Sequence, residues 1–70
     1  MPENMVLTVN GKSHPYAQGM TVASLLAELT DGPVTVVVEM NGAIVPREKF
    51  EKTALQAGDS LEVVHFVGGG

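Results

Sequence analysis

The segment Thr21-Val22-Ala23-Ser24-Leu25-Leu26-Ala27-Glu28-Leu29 sets Val22, Leu25, Leu26 and Leu29 at spacings of three and four, the period of one helix face. Thr21 is a good N-cap, and Asp31-Gly32-Pro33 brings a glycine and then a proline that forbids continuation, so a helix of about three turns is predicted. A helix this short cannot bury its apolar stripe alone. It must lie across a sheet, and the flanking sequence supplies the strands.

Upstream, Met5-Val6-Leu7-Thr8-Val9 alternates with Met5, Leu7 and Val9 on one side and runs into Asn10-Gly11, a strand entering a tight hairpin turn. The return strand is expected over residues 13–17, and Pro15 within it lacks a backbone donor, which suits an outer edge. Downstream, Val34-Thr35-Val36-Val37-Val38-Glu39-Met40 is the most β-branched stretch and reads as a central strand, ending at a second Asn-Gly, Asn41-Gly42. Ala43-Ile44-Val45 is its short partner, stopped by Pro46. Residues 47–52 are polar apart from Phe50, and a turn of helix is expected there. The turn cluster Ala57-Gly58-Asp59-Ser60 then leads into Leu61-Glu62-Val63-Val64-His65-Phe66-Val67, the last strand.

The order hairpin, helix, strand, short strand, strand packs best with the first and last strands parallel and adjacent at the centre and the helix over one face. This is an α+β fold, the β-grasp or ubiquitin-like arrangement: a mixed sheet with one helix across it. A ferredoxin-like sheet would need a second full helix. Seventy residues allow one domain, expected over residues 1–67, followed by a flexible Gly-Gly-Gly tail at 68–70.

Composition removes several classes of function. The chain is 44% hydrophobic and 17% charged, a globular balance, and it has no cysteine for disulfides, thiolate metal sites or nucleophilic catalysis. His14 and His65 stand far apart with no clustered ligand, so no metal site is expected. Four Lys and Arg against eight Asp and Glu, a net charge of −4, argue against nucleic acid. No apolar run approaches the ~20 residues of a membrane span, and Met1-Pro2-Glu3-Asn4 is not the start of a secretion signal, so the expected address is cytoplasmic.

No catalytic constellation is visible either. The hydroxyls of Thr21, Ser24 and Thr30 have no Lys or His pattern beside them, and the acidic residues read as scattered singly over turns and exposed faces. His14, before Pro15 in the edge strand, reads as solvated, and His65 as a residue near the sheet end. Three of the eight glycines stand together at Gly68-Gly69-Gly70, where no turn requires them. Without a Cβ, such an end can thread a narrow channel and present its main-chain carboxylate to another protein's active site. Period two in the last strand puts Leu61 and Val63 towards the helix, with Leu7, Val36 and Val38. It leaves Val64 and Phe66 on the open face near Val37, where an apolar patch beside the tail suggests partner docking. The alternative is Phe66 folded over the sheet end as a core plug.

The helix from Thr21 to Leu29, the strand ending at Asn41-Gly42, the run Ile44-Val45-Pro46-Arg47-Glu48, the Gly58-Asp59 turn and the ending Phe66-Val67-Gly68-Gly69-Gly70 together resemble the sulfur carrier family of thiamine biosynthesis. The resemblance covers residues 5–70. Four residues before the first strand and the third glycine, Gly68, depart from the family pattern without disturbing it. It implies that the chain is a protein cosubstrate, not an enzyme, and binds no cofactor of its own. An activating enzyme similar to those that start ubiquitin conjugation would use ATP to adenylate the carboxylate of Gly70. Sulfur originating with a cysteine desulfurase would displace AMP to give a thiocarboxylate, and thiazole synthase would take that sulfur into its product. Other readings stay open: the small subunit of molybdopterin synthase, a ubiquitin-like modifier, or a β-grasp regulatory module of a larger enzyme. The Val45-Pro46-Arg47-Glu48 run favours thiamine over molybdopterin.

Overall fold

Asn10 and Gly11 have φ of 51° and 83°, and Asn41 and Gly42 have φ of 52° and 90°. Positive φ at both central positions is what a two-residue hairpin turn needs to match strand twist, and Asn and Gly tolerate it best. The turns join β1 (Val6–Val9) to β2 (Lys12–Pro15) and β3 (Thr35–Met40) to β4 (Ala43–Val45). Between the hairpins runs α1 (Val22–Leu29); after them come a 3-10 turn (Arg47–Lys49) and β5 (Ser60–Phe66). These elements come from a computed structural model that describes residues 5–30 and 35–66.

The five strands form one sheet in the order β2-β1-β5-β3-β4. Parallel β1 and β5 pair Thr8 with Ser60 and Val9 with Leu61, while antiparallel β3 and β5 run in register from Thr35 opposite Phe66 to Met40 opposite Leu61. The hairpin β2 is outermost, as its Pro15 requires. Leu7, Val22, Leu25, Val38 and Leu61 are fully buried between the helix and one side of the sheet.

The start of α1 leaves none of its first amides without an acceptor. Thr21 Oγ1 accepts from the Ser24 N–H (3.1 Å) and Ser24 Oγ from the Thr21 N–H (2.9 Å), a reciprocal capping box. The Val22 and Ala23 N–H groups donate to the carbonyls of Thr53 and Phe50, both 3.0 Å. The polar segment after Pro46 is thus tied to the helix start, with Phe50 buried beneath it. Thr21→Ala removes one half of the box and should lower stability by about 1 kcal/mol, read as a fall in the urea midpoint with an unchanged slope.

Several expectations need correction. The helix has eight residues, a little over two turns, because Thr30 adopts an extended backbone (φ −131°) while its N–H and Oγ1 both donate to the Leu26 carbonyl at 3.0 Å. The expected stop at Asp31-Gly32-Pro33 lies outside the described residues. Leu29, at the end of the helix, is about one-third exposed, and Met5, one residue before β1, is half exposed. The return strand covers Lys12–Pro15 in place of residues 13–17, and the turn of helix after Pro46 is a 3-10 turn. The last strand spans Ser60–Phe66, one residue earlier than expected at its start; Val67 lies outside the described residues. Among the described residues, no helix is long and apolar enough to cross a membrane.

Candidate functional site

The helix covers one side of the sheet and leaves the other open. Alternation along β5 sends Leu61 and Val63 into the core and Glu62, Val64 and Phe66 to the open side. Val64 faces Val37 directly across β3, and Phe66 faces Thr35. Val37, Val64 and Phe66 are 38%, 52% and 56% exposed, so the expected face assignment holds and Phe66 is not a plug over the core. Gly68, Gly69 and Gly70 lie outside the described residues.

Ile44 belongs to the same surface and was not singled out from the sequence. The Asn41-Gly42 turn sets Glu39 opposite Ile44, which puts the Ile44 side chain on the open side, 60% exposed. The signal was present: a two-residue turn fixes which residues pair, and counting back from Asn41 places Ile44 on the Glu39 face.

The acidic residues are not all scattered singly. Glu39 and Glu62 stand directly opposite one another on β3 and β5, on the open face and bordering Val37, Val64 and Ile44. They are 23 positions apart in sequence, so only the strand pairing brings them together.

Two asparagines hold the strand that ends at this face. Asn10 Oδ1 accepts from the Val63 N–H (2.7 Å) and its Nδ2 donates to the Val63 carbonyl (3.2 Å), so the side-chain amide continues the β1 ladder one step past the turn. On the other side of β5, Asn41 Oδ1 accepts from the Ser60 N–H (2.9 Å). Its Nδ2 donates to Asp59 Oδ1 (3.1 Å), and Asp59 Oδ2 accepts from the Gln56 N–H (2.8 Å). Both asparagines read locally as turn residues; these long-range bonds depend on where β5 inserts.

His14 is not simply solvated. Leu7 pairs with it across β1 and β2, which turns it to the helix side, where its Nε2 lies 3.4 Å from Glu28 Oε1. His65 is exposed at the far end of β5. The two line an open hollow of about 370 Å³ on the helix side, together with Lys12 and Leu29. Among the described residues, no group of three potential metal ligands comes together. The arrangement offers a binding surface and a firmly held strand, not a set of reacting side chains.

A mixed five-stranded sheet, with its first and last strands parallel at the centre and one helix across one side, defines a β-grasp, ubiquitin-like domain. The sequence profile of the ThiS family matches residues 7–70, and this chain belongs to that family. It is 36% identical over 66 residues to the sulfur carrier protein ThiS of Bacillus subtilis, covering 93% of this chain and all of that one. The crystal structure of a thiamine biosynthesis protein (ThiS) from Geobacter metallireducens is similar, with a TM-score of 0.77 at 40% identity over 94% of this chain and 100% of that one. A thiazole synthase of Paramagnetospirillum magneticum is 42% identical over 66 residues, 94% of this chain. The chain spans only 20% of the length of that thiazole synthase, and the same share of another from Magnetococcus marinus.

Proposed function

We propose that the chain is a sulfur carrier of thiamine biosynthesis whose working group is the main-chain carboxylate of Gly70. The observation that carries this reading is the end-to-end similarity to sulfur carrier proteins, with the family match running through the glycine ending to residue 70. A carboxylate is a poor acyl donor because its leaving group would be an oxide. Attack of the Gly70 carboxylate on the α-phosphorus of ATP, within an adenylating enzyme, releases pyrophosphate and leaves an acyl adenylate. A persulfide sulfur, originating with a cysteine desulfurase, then displaces AMP to give an acyl disulfide, and a thiol attacks the carrier-distal sulfur, forming a disulfide with it and leaving the thiocarboxylate on Gly70. Thiazole synthase is the acceptor, and the chain returns with its carboxylate restored. It acts as a cosubstrate in the cytoplasm, contributes no catalytic side chain, and holds no cofactor.

Binding such a tail has a cost, since fixing each glycine backbone opposes docking by roughly 1–2 kcal/mol. Contacts elsewhere must offset it, and the apolar open face of Val37, Val64 and Phe66 is where we place them. Phe66→Ala is expected to weaken binding to the adenylating enzyme or to thiazole synthase by roughly tenfold, while the melting temperature changes little, because the ring is more than half exposed. A large loss of stability with binding intact would remove Phe66 from the docking face.

The loading reaction tests the reading directly. Incubation with ATP, a sulfide source and the adenylating enzyme should shift the intact mass by one sulfur-for-oxygen exchange, and fragmentation should place it at Gly70. Deletion of Gly70 should abolish the shift with the melting temperature unchanged. Sulfur on an internal residue would overturn the reading.

One observation favours a second reading. The two thiazole synthases hold the matching segment within chains about five times as long, so the same domain also occurs as part of a larger protein. In that setting the residue after Gly70 would be joined by an amide, and no adenylation could occur there. The native protein's mass distinguishes the two.

A further inference from the structure

The chain's two Asn-Gly pairs, Asn10-Gly11 and Asn41-Gly42, carry a reactivity that their hairpin turns do not use. Glycine after asparagine leaves the next main-chain nitrogen unshielded by a side chain, so that nitrogen can attack the asparagine Cγ. A C–N bond forms, the glycine amide proton is lost to solvent, and the side-chain nitrogen takes up a proton and departs as ammonia. Water then opens the five-membered imide at either carbonyl, giving aspartate or a β-linked isoaspartate. In the folded chain the side chain must first leave its hydrogen bonds, and the two sites differ in what opposes that. Asn10 binds both main-chain groups of Val63, a buried residue, through part-buried bonds of 2.7 Å and 3.2 Å. Releasing them leaves the Val63 groups unmatched. Asn41 binds the Ser60 N–H and Asp59 Oδ1 through exposed bonds, which water can replace. Its turn leads into β4, an outermost strand of three residues, the kind of element that opens most readily.

We propose that Asn41 is a site of spontaneous deamidation in the folded protein, and that Asn10, with the same sequence motif, is protected by its clamp on Val63. The change at position 41 acts on the fold where β5 begins. Asn41 Nδ2 donates to Asp59 Oδ1 at 3.1 Å, so replacing that nitrogen with oxygen sets two carboxylates against each other in a chain already at −4. Asp59 Oδ2 also holds the Gln56 N–H at 2.8 Å, which carries the repulsion into the turn before β5. The isoaspartate form adds a main-chain carbon to a two-residue turn, and the length of that turn fixes the pairing of Glu39 with Ile44. The reaction needs only water, and none of it depends on the carrier reading.

The full chain is held in warm, mildly alkaline buffer, both folded and in urea, and digested at intervals. Fragment masses and labelling by protein isoaspartate methyltransferase locate the change. The readout is how far folding slows each site relative to its own rate in urea. Asn10 should be slowed roughly tenfold or more beyond Asn41. Equal slowing, greater slowing at Asn41, or an Asn41 that stays intact in the folded chain while the urea sample is fully converted would each overturn the proposal. The effect on the fold has its own measurement. Asn41→Asp should lower the urea midpoint, and adding Asp59→Asn should recover much of the loss, because a donor is restored on the other side of the same contact. An Asn41→Asp chain as stable as the parent, or no recovery in the double variant, would show that the carboxylates do not meet.

Discussion

Leu25→Ala is expected to unfold a substantial part of the population. Leu25 is fully buried where α1 meets the sheet, packed into the same cluster as Leu7, Val38 and Leu61. Truncating a buried leucine removes its transfer free energy and leaves a cavity that neighbours only partly fill, a loss of about 2–5 kcal/mol. A domain of this size has a total stability of about 4–10 kcal/mol, so the substitution takes a large share of it. Alanine is the better helix former, so any loss must come from packing and not from helix propensity. Urea unfolding should show a much lower midpoint with a similar slope. A fall of less than about 1 kcal/mol would mean that the helix does not seat on the sheet as described.

Asn10→Ala is the second large effect, and it reaches the strand that leads to the functional end. Two contributions add. The Val63 N–H and C=O lose the partners that sit 2.7 Å and 3.2 Å away, about 1–3 kcal/mol for part-buried groups left unmatched. A β-carbon residue at φ 51° without asparagine's local bonding also carries about 1 kcal/mol of backbone strain. Asn10→Gly separates the two, because glycine accepts that φ without strain and loses only the hydrogen bonds. Amide exchange at Val63 should speed up in both variants, and the urea midpoint should fall further for Ala than for Gly. Unchanged protection at Val63 would show that the side chain does not hold β5.

The legible parts of this fold are those where neighbours along the chain decide the outcome. Thr21 as the N-cap, the apolar period from Val22 to Leu26, the two Asn-Gly turns and the alternation along β5 are local features, and each is where it was expected. The period of β5 sufficed to place Val64 and Phe66 on the open side, because a sheet with one helix has only one covered face. The helix end was less legible. Asp31-Gly32-Pro33 is a strong stop, but the Leu26 carbonyl accepted the N–H and hydroxyl of Thr30 first, a choice between competing local bonds that the sequence pattern does not rank.

By itself, the sequence determined the elements, their order, the side of each strand that is apolar, and a family resemblance carried by short motifs and the glycine ending. Only the tertiary structure decided which distant residues meet. Insertion of β5 between β1 and β3 converted two turn asparagines into clamps on Val63 and Ser60. The same insertion set Glu39 against Glu62 beside Val37, Val64 and Ile44. The physical reason is that period and propensity act over a few residues, whereas strand register is set by the packing of the whole sheet on its helix.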